Sequence, residues 1–168
     1  MVRWQRGNGV EAEQCLRQAL QRRPNLAAAH NFLGMVLACQ KRPTEAVSHF
    51  REAVRLQPND AEAYGNLGLA LLDGGDHSLT EAESMLRKAI RLRPDSAEAH
   101  NNLGNVLWRQ GRLPEARTAE LKALQLRPDY AEAHNLLGNV CTSQFDFCPV
   151  SAEVKLGNLR EMLGTSTF

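Results

Sequence analysis

Three histidines recur in one local wording, Ala-x-Ala-His-Asn, as His30, His100 and His134. Imidazole is the commonest metal ligand and proton carrier among side chains, so this is the first chemistry to weigh. The copies are a repeat unit or more apart along the chain, and equivalent points on packed helices lie ~10 Å or more apart. A metal bond needs ~2 Å, so the three cannot share one ion. A ring packed between helices, its polar edge toward water, explains them as well. The four cysteines, Cys15, Cys39, Cys141 and Cys148, form no Cys-x-x-Cys pair. A Cys141–Cys148 bridge is open to the chain, but the spacing does not argue for it. Small, partly buried thiols in a reducing compartment fit better, so a cytoplasmic location is expected. Asp73 and Asp76 stand in Asp-Gly-Gly-Asp-His-Ser without the spacing of a calcium loop, which reads as a surface turn. Gly157 to Gly164 lacks the Lys-Ser/Thr of a phosphate loop, and neither Gly-x-Ser-x-Gly nor His-Glu-x-x-His occurs. No catalytic residue, metal or cofactor is expected, and the chain reads as a non-enzyme.

The elements that carry these residues repeat. Ala27 opens AAAHNFLGMVLA, Ala61 opens AEAYGNLGLALL, Ala97 opens AEAHNNLGNVLW and Ala131 opens AEAHNLLGNV. Pro24, Pro58, Pro94 and Pro128 close the units at spacings of 34, 36 and 34 residues. A period of this length signals stacked supersecondary units. Within the unit from Ala97, the residues Ala99, Leu103, Val106 and Leu107 fall on one helical face. Glu98, Asn101, Asn102, Asn105 and Arg109 fall on the opposite face. Gly111 stops this helix, Pro114 suits the first turn of the next, and Pro128 ends that one. Helix pairs are expected over 28–40 and 44–57, 62–73 and 80–93, and 98–110 and 114–127.

The pattern resembles the tetratricopeptide repeat, a helix–turn–helix unit. The resemblance rests on the Leu-Gly pairs Leu33-Gly34, Leu67-Gly68, Leu103-Gly104 and Leu137-Gly138. It also rests on the small residues Ala12, Ala46, Ala82 and Ala116, on Ala19, Ala53, Ala89 and Ala123, and on the closing prolines. The Asn-Leu-Gly-Asn wording is also similar to the repeat array of O-GlcNAc transferases and related bacterial proteins. The implied fold is an all-α, right-handed superhelical solenoid of stacked antiparallel helix pairs. One departure concerns packing. The large apolar position of the second helix holds Leu16, Phe50 and Leu86, but Glu120 in the next unit, so either Leu121 takes over there or the helix rotates slightly.

Divided this way, the chain has a partial unit at 1–26, units at 27–60, 61–96 (with a two-residue insertion) and 97–130, and a degenerate unit at 131–168. The first unit starts inside what should be a first helix, which suggests a fragment, a misassigned start, or an open end on which more repeats once stacked. Such an end allows end-to-end self-association. Val154, Leu156, Leu159, Met162 and Leu163 can form the stripe of a C-terminal capping helix, with a loose tail after Gly164. The formal net charge is +1, so no strong field points to nucleic acid or an anionic membrane. Glu62, Glu98 and Glu132 in first turns, and Arg22, Arg23, Arg55, Arg91, Arg93 and Arg127 at helix ends, match the helix dipoles and need no ligand. No run approaches the ~18 apolar residues of a membrane span, and the N-terminus lacks a secretory core.

What remains is a surface. In the family this chain resembles, first helices line the concave side. Carried across, the peptide-binding groove would hold Asn31, Phe32 and Met35; Asn66, Leu69 and Asp73; Asn101, Asn102, Asn105, Trp108 and Arg109; and Asn135, Asn139 and Ser143. A row of amides can both donate to and accept from an extended backbone. Trp108 would be the anchor. Carboxylate clamps of this fold place Lys and Arg on the first helices. Asn31, Asn66, Asn101 and Asn102 stand here instead, so a chaperone-tail receptor is not expected. The expected function is a non-catalytic scaffold gripping a peptide or partner helix, and the alternative is the substrate-recruiting part of a larger glycosyltransferase of the O-GlcNAc type.

Overall fold

A computed structural model describes the backbone of residues 6–146 and the side chains of residues 9–143. Eight α-helices and one short 3₁₀ turn account for nearly all of it, with no strand among the described residues. In order they are α1 (Arg6–Arg22), α2 (Ala27–Cys39), α3 (Pro43–Leu56), α4 (Ala61–Asp73), the turn Asp76–Ser78, α5 (Leu79–Leu92), α6 (Ala97–Arg109), α7 (Leu113–Leu126) and α8 (Ala131–Asp146). The six helices expected from the repeat each begin one residue earlier than the sequence pattern suggests. Capping fixes the start of two of them. The Asp60 carboxylate accepts from the backbone N–H of Glu62 and Ala63, and the Ser96 hydroxyl accepts from that of Ala99. Pro43 and Pro114 sit in the first turns of α3 and α7.

Each helix packs on the next in the chain, so the contacts run along the stack. Leu33, Leu37 and Phe50, then Leu67, Leu71 and Leu86, then Leu103, Val106 and Leu107 form one continuous buried core. Small residues permit the close approach: Ala46, Ala53, Ala82, Ala89, Ala116 and Ala123 are all buried. The repeated Gly of the Leu-Gly pair is required by the second helix. A Cβ on Gly34 would stand 2.7 Å from the Phe50 ring, and one on Gly68 would stand 2.6 Å from Leu86.

Glu120 departs from both expectations for it. Leu121 does not take over the packing, because it is 49% exposed. The helix does not rotate either, because Ala116 and Ala123 stay fully buried as in α3 and α5. Glu120 occupies the Phe50 and Leu86 place itself, fully buried against Gly104. Neither carboxyl oxygen has a hydrogen-bond partner among the described residues, and burial pushes the group up to about 8. The capping helix and loose tail expected after residue 150, and Cys148, lie outside the described residues.

Candidate functional site

Successive first helices touch along the stack: α2 meets α4, α4 meets α6, and α6 meets α8. The second helices approach one another less, so the stack curves and α2, α4, α6 and α8 line its inner face. Three of the five exposed large apolar side chains found among the described residues lie on this face. They are Phe32 (53% exposed), Met35 (39%) and Leu69 (40%), and all belong to its first two helices. At the other end Asn135 and Asn139 are exposed and Asn102 and Asn105 half-buried. The inner face therefore runs from apolar on α2 to amide-rich on α6 and α8. The places of Phe32 and Met35 are taken by Asn66 and Leu69 on α4, and by Asn102 and Asn105 on α6.

The amides are less open than the sequence pattern implies. Asn31 is buried, and its Oδ1 accepts from Asn66 Nδ2 at 3.1 Å, so one hydrogen bond ties the two together. Asn101 is also buried and its Oδ1 has no partner among the described residues, because Leu136 stands on α8 where Asn66 stands on α4. Arg109 is not a free cation. It donates to Asp76 Oδ1 and, at 2.7 Å, to the Leu72 carbonyl, which ties α6 to the inserted turn. Asp73 is exposed. Trp108 is half-buried against the core and donates its Nε1–H to Ser143 at 3.3 Å. With Asp76, Arg109, Gly111, Leu113, Pro114 and Ser143 it lines an open hollow of about 830 Å³ at the turn end of the stack.

The recurring histidines fasten loops. Nε2 of His30, His100 and His134 lies 3.0, 3.0 and 2.9 Å from the carbonyls of Pro24, Pro94 and Pro128. A carbonyl only accepts, so the ring proton sits on Nε2. In His30 that leaves Nδ1 as acceptor for the Nδ1–H of His49 at 3.0 Å. Burial, then the neighbouring His30, holds His49 below the usual imidazole range, which favours this neutral pair. No group of three or more potential metal ligands occurs among the described residues.

Sequence reasoning missed a second hollow, of about 420 Å³, between α4 and α6. Its lining includes Gly65, Asn66, Leu69, Glu98, Ala99, Asn102 and Tyr130. The signal was available: Gly65 stands where the other units carry Asn31, Asn101 and Asn135. Glu98 is hydrogen-bonded by Arg127, which holds its carboxyl below the usual range.

The tetratricopeptide repeat model matches residues 1–61, 40–79 and 77–131, and the chain belongs to that family. It is similar to the crystal structure of MamA, with 25% identity over 82% of this chain and 80% of that one, and a TM-score of 0.75. It is also similar to YrrB, described as a TPR protein with an unusual peptide-binding site, with 27% identity, 77% and 66% coverage, and a TM-score of 0.70. The first TPR domain of Spaghetti (RPAP3), bound to the HSP90 peptide SRMEEVD, shares the fold at 21% identity, with 70% and 92% coverage and a TM-score of 0.67. No curated protein matches the chain by sequence. No described helix is long and apolar enough to cross a membrane.

Proposed function

We propose that this chain is a non-catalytic protein-interaction scaffold that holds an extended segment of a partner along its inner face. The observation that carries the reading is the concentration of exposed Phe32, Met35 and Leu69 on that one face, continued by Asn102, Asn105, Asn135 and Asn139. Apolar side chains of a partner would bury against the first part, and its backbone would bond to amides on the second. Peptide binding by YrrB and by the first RPAP3 domain supports the use of such a face. The mode differs from a carboxylate clamp, because Arg109 is already neutralised by Asp76. Trp108 acts here as a wall fixed by Ser143 rather than as a free anchor. The thiols of Cys15, Cys39 and Cys141, which form no disulfide among the described residues, fit a cytoplasmic setting.

The test is selection of binders from a displayed library of random dodecapeptides, followed by titration of synthetic copies. Phe32→Ala with Met35→Ala should weaken binding tenfold or more, since truncating a buried anchor costs ~2 kcal/mol. Asn105→Ala with Asn139→Ala should weaken it by about tenfold, at ~0.5–1.5 kcal/mol per bond. Melting curves should hardly move, because these side chains are outside the core. Retained binding in both variants, with loss on reversing Arg91 and Arg93, would place the partner on the second-helix side and overturn the reading.

A further inference from the structure

We propose that the hollow beside Gly65 is a subsite for one carboxamide side chain, Asn or Gln, of the bound segment. The inference rests on the groove reading and narrows it. Between α2 and α4 the floor of the inner face is closed by an amide pair, Asn31 Oδ1 with Asn66 Nδ2 at 3.1 Å, and Asn31 is only 6% exposed. One unit on, the same two places hold Gly65 on α4 and Asn102 on α6. Gly65 has no side chain to offer, so Asn102 cannot make the bond that Asn66 makes. The gap is real space: among the described residues a Cβ on Gly65 would meet nothing within 4 Å, and the hollow there measures about 420 Å³. What the stack lacks at this point is one carboxamide.

The chemistry of the walls selects for the same group. Leu69 and Ala99 supply carbon surface, and Asn66 and Asn102 supply neutral polar edges. Of the charged groups in the lining, Glu98 is neutralised by Arg127, while Glu62 and Arg93 oppose each other in sign. An ion entering this hollow would lose water without a dedicated counter-charge, whereas a neutral amide loses less. Asn102 presents a donor and an acceptor on one edge, and a carboxamide answers both on its own edge. A trans peptide unit cannot, since its N–H and C=O point to opposite sides.

The experiment uses the same dodecapeptide library on the full chain, in wild type, Gly65→Asn, Gly65→Ala and the Asn105→Ala/Asn139→Ala double variant. Asn or Gln should be enriched at one fixed position of the wild-type binders. Replacing that residue by Leu or Asp in a synthetic peptide should weaken binding about tenfold, the effect of one or two such hydrogen bonds. Gly65→Asn refills the gap, so it should weaken the carboxamide peptide by a similar factor and remove the difference between it and the Leu peptide. The same variant should melt higher, because it removes a glycine from a helix interior without a clash. Gly65→Ala, which adds only a methyl group, should keep the carboxamide preference. If the double variant weakens binding but no carboxamide is enriched and Gly65→Asn changes nothing, this inference fails and the groove reading stands. If no peptide is selected, or the groove variants bind like wild type, both fail.

Discussion

Two units of this stack share a backbone and differ at the buried place that faces the glycine of the Leu-Gly pair. Between α2 and α3 the ring of Phe50 lies on Gly34; between α6 and α7 the carboxyl of Glu120 lies on Gly104. The flanking alanines are buried alike in both, Ala46 and Ala53 against Ala116 and Ala123. Small residues and glycines therefore set the helix positions, and the large side chain only fills the space they leave. A unit can keep its geometry with the wrong filler, but its share of the stability changes. Because a solenoid unit packs only on its neighbours, the deficit should be confined to α6, α7 and α8.

The largest expected effect follows from this. Glu120→Leu makes the third unit like the second and removes a buried carboxyl with no partner among the described residues. The gain should be of the order of a few kcal/mol at pH 8, where holding the group protonated opposes its ordinary tendency to ionise. Phe50→Glu should cost a similar amount. Urea titration reads both, and a Glu120→Leu chain no more stable than wild type would break the comparison.

The pH dependence sharpens it. Glu120 titrates at about 8 in the folded chain and near 4.3 when unfolded. Below pH ~4 both states are protonated and the group contributes no slope. As pH rises toward 8, the unfolded chain ionises while the folded one does not, so this residue makes stability fall. The paired carboxylates have the opposite sign. Arg42 beside Glu45, Arg112 beside Glu115 and Arg127 beside Glu98 hold those carboxyls below their usual range, so their contribution is lost as pH falls through the lowered values. Wild type should therefore be most stable near pH ~5, and Glu120→Leu should flatten only the alkaline limb. A denaturation series at pH 5, 6.5 and 8 tests it.

A smaller effect separates the glycines. Gly34→Ala drives a methyl into the Phe50 ring, a rigid neighbour at 2.7 Å, and should cost ~1–3 kcal/mol. Gly138→Ala meets nothing within 4 Å among the described residues and should be neutral or slightly stabilising. If the two melt alike, the Leu-Gly glycines are not there for packing.

These contrasts also mark what the sequence discloses. The helices were legible because Pro43, Pro114 and Gly111 punctuate them and Leu33, Leu67 and Leu103 recur in phase. The burial of Glu120 was not, since a charged residue in a helix normally turns to water, and only the small neighbours at Ala116 and Ala123 hold it inward. The inner face was half legible. Period alone identifies Met35, Leu69 and Asn105 as a row, but not that Asn31 and Asn66 bond to each other or that Arg109 is taken by Asp76. Those are contacts across 33 to 35 residues, set by the rotation between units rather than by any local pattern.

The smallest prediction compares two turns. Lys41, at φ 63°, and Gly111, at φ 76°, both follow the first helix of their unit in the left-handed region. Their loop-closing bonds coincide. Lys41 N–H donates to Ala38 at 3.0 Å and Gly111 N–H to Trp108 at 2.9 Å, while Arg42 and Arg112 N–H donate to Leu37 and Leu107 at 3.0 and 2.9 Å. With the hydrogen bonding equal, only residue type distinguishes the turns, and a side chain there costs ~1 kcal/mol by crowding the carbonyl. Lys41→Gly should therefore stabilise the chain by somewhat under ~1 kcal/mol, since glycine also loosens the unfolded state. Gly111→Lys should lose a comparable amount. Lys41 is exposed and forms no ion pair found among the described residues, so its removal sacrifices no contact that would mask the gain. A lower melting temperature for Lys41→Gly would show that the two turns are not equivalent after all.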